Sequence, residues 1–515
     1  NKGHKTIQTA SKSYTNTLPT IMKKEILIIS CFLLTLFNSC SKKEDIVEVD
    51  IIKNLPPTNF NISIEQIKYN SALLKWEEST DPENTTIKYS VYLENDLIKS
   101  NISILELKLE GLTELTTYNG YIKAEDGDEK ITKVDFTFTT KKYYLTFIKE
   151  YQVIKQDYVD LFTPELYEVI ITNDGGYLFS GMINRYADGF RAFLTVKIDK
   201  NGNEVWFKKY DIDLGDGFPE IKETSDGGYM IVGWSSFLKL DSLGNIVWTK
   251  TLPCGESKGC TVYSAAETNN GDFLIGGTQP SDNKNVNLGA YIVLINSSGN
   301  ILWEKTLENT WHQSITDIIH NEDNTFTVFG DIEATGNTGS NTSQDFWIFK
   351  IDINGNIIWE KSYGNYRYDI PKKMIKTNDN SFVFIGSSWG AYDVRESVIY
   401  KINNLGDIIW NTNFHYGLED NVRSVTESQT GDLITIGQIT DGNFGEMGIY
   451  KFNSGGNIIW EKQYIDFDTN THGYDLKTTD DNGFIIASHF DITSTYPAKS
   501  FVRILKTDPD GNFEE

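Results

Sequence analysis

At 515 residues the chain is too long for one small core, so it should hold two or more domains, or a repeat array plus a module. Its 39% apolar and 13% aromatic content, with only 11 prolines, excludes a disordered or collagen-like chain, and 41 glycines among short apolar alternations point to an all-β protein rich in turns. A net charge of −25 and a pI near 4.7 would repel a phosphate backbone, which argues against nucleic acid as a partner.

Residues 1–21 precede Met22 and are set aside as upstream sequence. Residues 22–40, "MKKEILIISCFLLTLFNSC", begin with Met22, Lys23 and Lys24, continue with a short apolar run and end on small and polar residues before Cys40. The run is short for a bilayer span and has the order of a secretion signal over residues 22–39. "LFNSC" resembles the lipobox of Bacteroidetes-type lipoproteins. That resemblance implies cleavage before Cys40, lipidation of its thiol, and an outer-membrane lipoprotein on the cell surface or periplasmic face. The alternative is a secretion signal without lipidation. Residues 40–54 then read as a charged tether. The two cysteines that follow Cys40, Cys254 and Cys260 in "CGESKGC", would meet an oxidising compartment across a short glycine-containing loop, so a disulfide is expected. A zinc site would need further ligands, and none stand nearby in the sequence.

Residues 55–140 show short alternating strands. "SALLKWEES" places Ala72, Leu74 and Trp76 on one face, and Leu112, Tyr118 and Ala124 follow in "GLTELTTYNGYIKAED". A strand with a buried Trp, then Leu and Tyr before a strand ending in Ala-x-Asp, resembles the fibronectin type III sandwich. That resemblance implies a spacer or adhesive module without chemistry.

From residue 143 to 515 a unit repeats. Gly202, Gly244, Gly299, Gly355, Gly406 and Gly456 are each followed four residues later by a tryptophan: Trp206, Trp248, Trp303, Trp359, Trp410 and Trp460. The tryptophans are 42 to 56 residues apart, a period suited to propeller blades of four short strands. A second marker, an aromatic or Leu followed four residues on by a small residue, occurs seven times, from Tyr177 and Gly181 to Phe484 and Ser488. The seventh unit has no outer strand after Gly511. "YYLTFIKEYQ", residues 143–152, aligns with the outer strands if Phe147 takes the tryptophan place, so it is expected to complete the last blade and close the ring. The units resemble the Trp-containing repeats of quinoprotein-like propellers. The quinone pocket of that family has no counterpart here, and no cofactor is expected. The fold class is all-β: a fibronectin type III sandwich plus a seven-bladed β-propeller closed by an N-terminal strand.

Glycine and asparagine in turns such as "DINGN" supply the positive φ of tight hairpins, and the acid that would close a calcium loop is missing, so no metal is expected. No nucleophile elbow, zinc-protease helix or phosphate-cradling loop appears. Strand parity sends the blade-to-blade loops to one rim, bringing Trp311, His312, Tyr366, Arg367, Tyr368, Asp369, His415, Tyr416, His472 and Tyr474 together. Aromatics with a few polar partners suit sugar faces or a protein epitope. The expected function is therefore a membrane-anchored, monomeric binding or adhesion lipoprotein recognising a glycan or protein, with no catalytic residue assigned. The alternative is a polysaccharide-cleaving enzyme using Asp369, Asp420, His312 and His472 as proton donors and acceptors.

Overall fold

The computed structural model describes residues 8–10, 54–151, 162–185, 191–212, 219–234, 236–252, 260–280, 288–307, 312–333, 344–364, 368–389, 395–415, 421–440, 445–465, 469–492 and 499–513. The signal segment, Cys40 and Cys254 lie outside them; Cys260 is fully buried. The chain divides into two compact units, Thr15–Tyr144 and Asn1–Tyr14 with Leu145–Glu515. Every described element is a β-strand.

The smaller unit holds two antiparallel sheets. One orders Ile62–Glu65, Ser71–Trp76 and Glu106–Glu110; the other orders Asp96–Ile102, Lys88–Leu93, Thr117–Glu125 and Ile131–Thr139. Alternation turns Ala72, Leu74 and Trp76 of one sheet and Val91, Ile122, Ala124 and Phe138 of the other into a single core. The Tyr118 hydroxyl accepts from the Thr113 amide at 2.8 Å, pinning the corner before its strand.

The larger unit is a β-propeller, and its described residues form seven antiparallel sheets, here sheets 1 to 7. Their first strands are Phe162–Ile171, Glu220–Glu223, Thr261–Glu267, Gln313–His320, Asp369–Lys376, Asn421–Glu427 and Thr469–Thr478. Each first strand touches the next, and that of sheet 7 touches that of sheet 1, so the sheets close into a ring around the first strands. Second and third strands such as Tyr229–Gly233 and Ser236–Leu240 are buried throughout, since sheets cover both of their faces, and the one lysine among them, Lys239, is paired with Asp226 at 2.7 Å. In the segment set aside as upstream sequence, Gln8–Ala10 pairs antiparallel with the outer strand Ile458–Ile465 of sheet 6.

The repeated hairpin has two jobs. Within a sheet, Asp352 Oδ1 accepts the amides of Asn354 and Asn356 at 2.9 and 2.8 Å, clamping the turn. Asp199, Asp241 and Asp508 do the same. Between sheets, the Trp-x-Lys-x-Tyr stretch of one outer strand grips the next turn. Trp359 lies against Gly406, Lys361 reaches Asp407 at 2.5 Å, and the Tyr363 hydroxyl donates to the Gly406 carbonyl at 2.6 Å.

The tryptophans thus pack on the neighbouring hairpin's glycine and are half-buried there. Gly355 has φ 72°, and a Cβ on it would come within 2.7 Å of the Trp303 ring. Gly355→Ala should therefore lower Tm by more than Gly175→Ala, whose φ of 77° is equally strained but whose surroundings are open. The shared backbone strain is about 1 to 3 kcal/mol. Equal drops in two thermal melts would show that the indole contact is not tight.

Sheet 7 takes its fourth strand from Phe147–Tyr151, which pairs antiparallel with Lys499–Thr507: Tyr151 opposes Val502, Lys149 opposes Ile504 and Phe147 opposes Lys506. Phe147 lies on Gly202 as the tryptophans lie on their glycines, Tyr151 stacks on Phe207 at 6.3 Å, and Arg503 bonds Glu150 at 2.8 Å.

Candidate functional site

The first strands carry the chemistry. Six of the seven contain a β-bulge after their second or later residue pair, skipping Tyr167, Tyr263, Thr316, Lys372, Arg423 and Tyr474 in sheets 1, 3, 4, 5, 6 and 7. Pro219 stands at the same place just before the first strand of sheet 2. A bulge re-aims its side chain out of the sheet's alternation. All seven of these residues line one cavity of about 570 Å³, so the cavity lies on the ring axis.

The residues that follow the six bulges and Pro219 form a second layer: Glu168, Glu220, Ser264, Asp317, Lys373, Ser424 and Asp475. The carboxylates and serines there are buried. Lys373 Nζ lies 3.1 Å from Glu168, 3.4 Å from Glu220 and 3.9 Å from Asp317. Lys222 bonds Glu220 at 2.6 Å and Lys477 bonds Asp475 at 2.7 Å.

The same layer ties sheet to sheet. The amides of Ile221, Ala265, Met374 and Val169 donate to Glu168, Glu220, Asp317 and Asp475 at 2.6, 2.9, 3.0 and 3.0 Å, and the Ile318 amide to Ser264 Oγ at 3.1 Å. The Asp475 bond runs from sheet 7 back to sheet 1. Burial opposes ionisation throughout, and it wins at Glu168, whose carboxyl is held above the usual range. At Glu220 and Asp475 burial is outweighed by Lys222, Lys477 and Lys373, which hold them below it. Lys373, despite its burial, is held well above the usual lysine range by Glu168, Asp317 and Glu220.

The cavity above this layer has two unlike sides. On sheets 5 and 6 stand Lys372 and Arg423. Burial, then the charges of Arg423 and Arg395, lower Lys372 to about 8. The Arg423 guanidinium lies 4.2 Å from the Tyr474 ring centre, and Tyr474 meets Tyr167 edge-on at 5.0 Å. On sheet 4, His312 Nε2 lies 3.1 Å from Asp331, and Ser314 donates to the same carboxylate. Tyr263 completes the wall, its hydroxyl pushed to higher pKa by burial.

Of the residues expected at the rim, His312 and Tyr474 line this cavity. Asp369 is buried beside Gly364 and Asp345, away from it. Tyr368 is 43% exposed, and its carbonyl accepts the Trp389 amide. His415 is exposed, 4.0 Å from Glu396, and His472 stacks on His489 at 5.0 Å; neither lines the cavity. Trp311, Tyr366, Arg367, Tyr416 and Asp420 lie outside the described residues. Among the described residues no group of three or more His, Cys, Asp or Glu is placed to hold a metal ion. Sequence reasoning named neither the cationic pair nor Tyr167 and Tyr263.

No family model and no curated protein matches the chain. Among solved structures it is similar to the WD40 domain of Neurospora crassa Pan2, at 10% identity and a TM-score of 0.42 over 68% of this chain and 92% of that one. It is also similar to the exotype rhamnogalacturonan lyase YesX, at 10% identity and a TM-score of 0.39 over 87% and 89%. A glucose dehydrogenase matches at 5% identity and a TM-score of 0.35 over 55% and 93%. At these scores the likenesses identify neither a family nor an activity.

Proposed function

We propose that this chain is a lipid-anchored extracytoplasmic binding protein that takes a glycan into the axial cavity of a seven-bladed propeller. Cys40 carries the anchor, a fibronectin type III module spaces the ring from the membrane, and a Cys254–Cys260 disulfide closes the loop entering sheet 3. The observation that carries the reading is the convergence of the six bulge residues and Pro219 on one cavity of about 570 Å³. Its three tyrosines offer faces for sugar rings, and its polar groups suit hydroxyls. Binding fits better than cleavage, because Asp369, one of the two acids named for cleavage, is buried elsewhere, and Asp331, the carboxylate beside His312 in the cavity, is engaged by His312 and Ser314.

Titration of the mature protein with an oligosaccharide panel tests this. At least one oligosaccharide should bind, and Tyr263→Ala should weaken it about tenfold, or ~1.4 kcal/mol. Unchanged affinity in the variant would remove the cavity from the binding site.

A further inference from the structure

Two layers of the same axis treat cations in opposite ways. In the lower layer Lys373 has carboxylates of Glu168, Glu220 and Asp317 around it. In the upper layer Lys372 has no acid partner among the described residues, and the charges it feels are those of Arg423 and Arg395. Among the described residues Arg423 hydrogen-bonds Gln438 Oε1 alone, at 3.4 Å, and its buried Nε has no acceptor. Two half-buried cations thus face one cavity with no ion-pair partner among the described residues; the carboxylates that share the cavity lining, Glu168, Glu220, Asp331 and Asp475, are engaged by Lys373, Lys222, His312 and Lys477 instead. Holding like charges together out of water is unfavourable unless an anion joins them. The planar guanidinium is fixed by its stack on Tyr474, which leaves its edge to meet an acceptor. Across the cavity, His312 and Asp331 present hydrogen-bonding groups of the kind that hydroxyls require.

We propose that the cavity recognises an acidic sugar, with the carboxylate of a hexuronate residue held between Arg423 and Lys372 and its ring against the tyrosines. The inference rests on the reading of the cavity as a glycan site and names the class of glycan.

The test is calorimetric titration of the mature full chain with oligogalacturonate, oligoglucuronate and oligoguluronate, with their carboxyl-reduced neutral counterparts, and with inorganic phosphate. One acidic oligosaccharide should bind about thirtyfold or more tighter than its neutral counterpart, and Arg423→Gln and Lys372→Met should each remove most of that margin. The Lys372 ammonium is present below about pH 8 and lost above it, so wild-type affinity for the acidic sugar should fall between pH 7 and 9. That fall should be absent in Lys372→Met. Arg423→Lys, which keeps the charge but loses the fork, should bind with intermediate affinity and guards against a misfolded glutamine variant. Equal binding of acidic and neutral sugars would overturn this inference while leaving the glycan site standing. Phosphate binding as tightly as the best uronate would overturn the sugar-acid assignment. No binding by any oligosaccharide would overturn both readings.

Discussion

Replacing Lys373 by methionine should destabilise the propeller by about 3 to 5 kcal/mol, the range found when one partner of a buried ion cluster is removed. The lysine is the shared counter-ion of carboxylates contributed by sheets 1, 2 and 4 while itself belonging to sheet 5, so it compensates charge across the ring. Without it, Glu168 and Asp317 lose their nearest cation and Glu220 retains only Lys222. The loss should depend on pH in a defined sense. In the variant the buried carboxylates are driven to bind protons, so the folded state is relieved by acid, and the Tm gap between wild type and Lys373→Met should narrow as pH falls from 7 towards 5. A gap that is absent at pH 7, or that widens on acidification, would mean that Lys373 is not the counter-ion.

The second large effect belongs to the strand Phe147–Tyr151. A chain beginning at residue 145 should melt in one cooperative transition, whereas one beginning at residue 152 should be strongly destabilised and prone to aggregate. The shorter chain loses two aromatic side chains, at about 1.5 to 3 kcal/mol each when buried. It also uncovers the edge of Lys499–Thr507 and with it Val502 and Ile504, both fully buried in the intact ring. Equal Tm values for the two chains would show that the outer latch is dispensable. In that case closure would rest on the inner one, in which the Val169 amide donates to Asp475.

The repeat was legible in the sequence because its markers are local. A glycine at positive φ and an indole four residues on are required by one hairpin and its neighbour, so they recur wherever that contact is made. The axial site was harder to see, though its signal is present. Aligned on the same turn, the first strands read "YEVIIT", "PEIKET", "YSAAET", "TDIIHN", "KKMIKT", "RSVTES" and "YDLKTT". In most of them two polar or aromatic residues stand side by side before an apolar one, which breaks the alternation of a half-buried strand and marks a bulge. Taken alone, each stretch is an ordinary irregular strand. Only the ring brings Lys372 beside Arg423, and Lys373 beside acids from three other sheets. The rim loops drew attention for their aromatics, but loop length says little about direction: Asp369 turned inward between sheets, and His472 turned to His489.

Where a sugar binds is the most direct measurement. A crystal of the mature protein soaked with the tightest-binding acidic oligosaccharide should show its carboxylate between Arg423 and Lys372 and a sugar ring against Tyr263 or Tyr167. Density for the sugar on the outer loops or on the smaller unit, with the axial cavity holding only solvent, would contradict it.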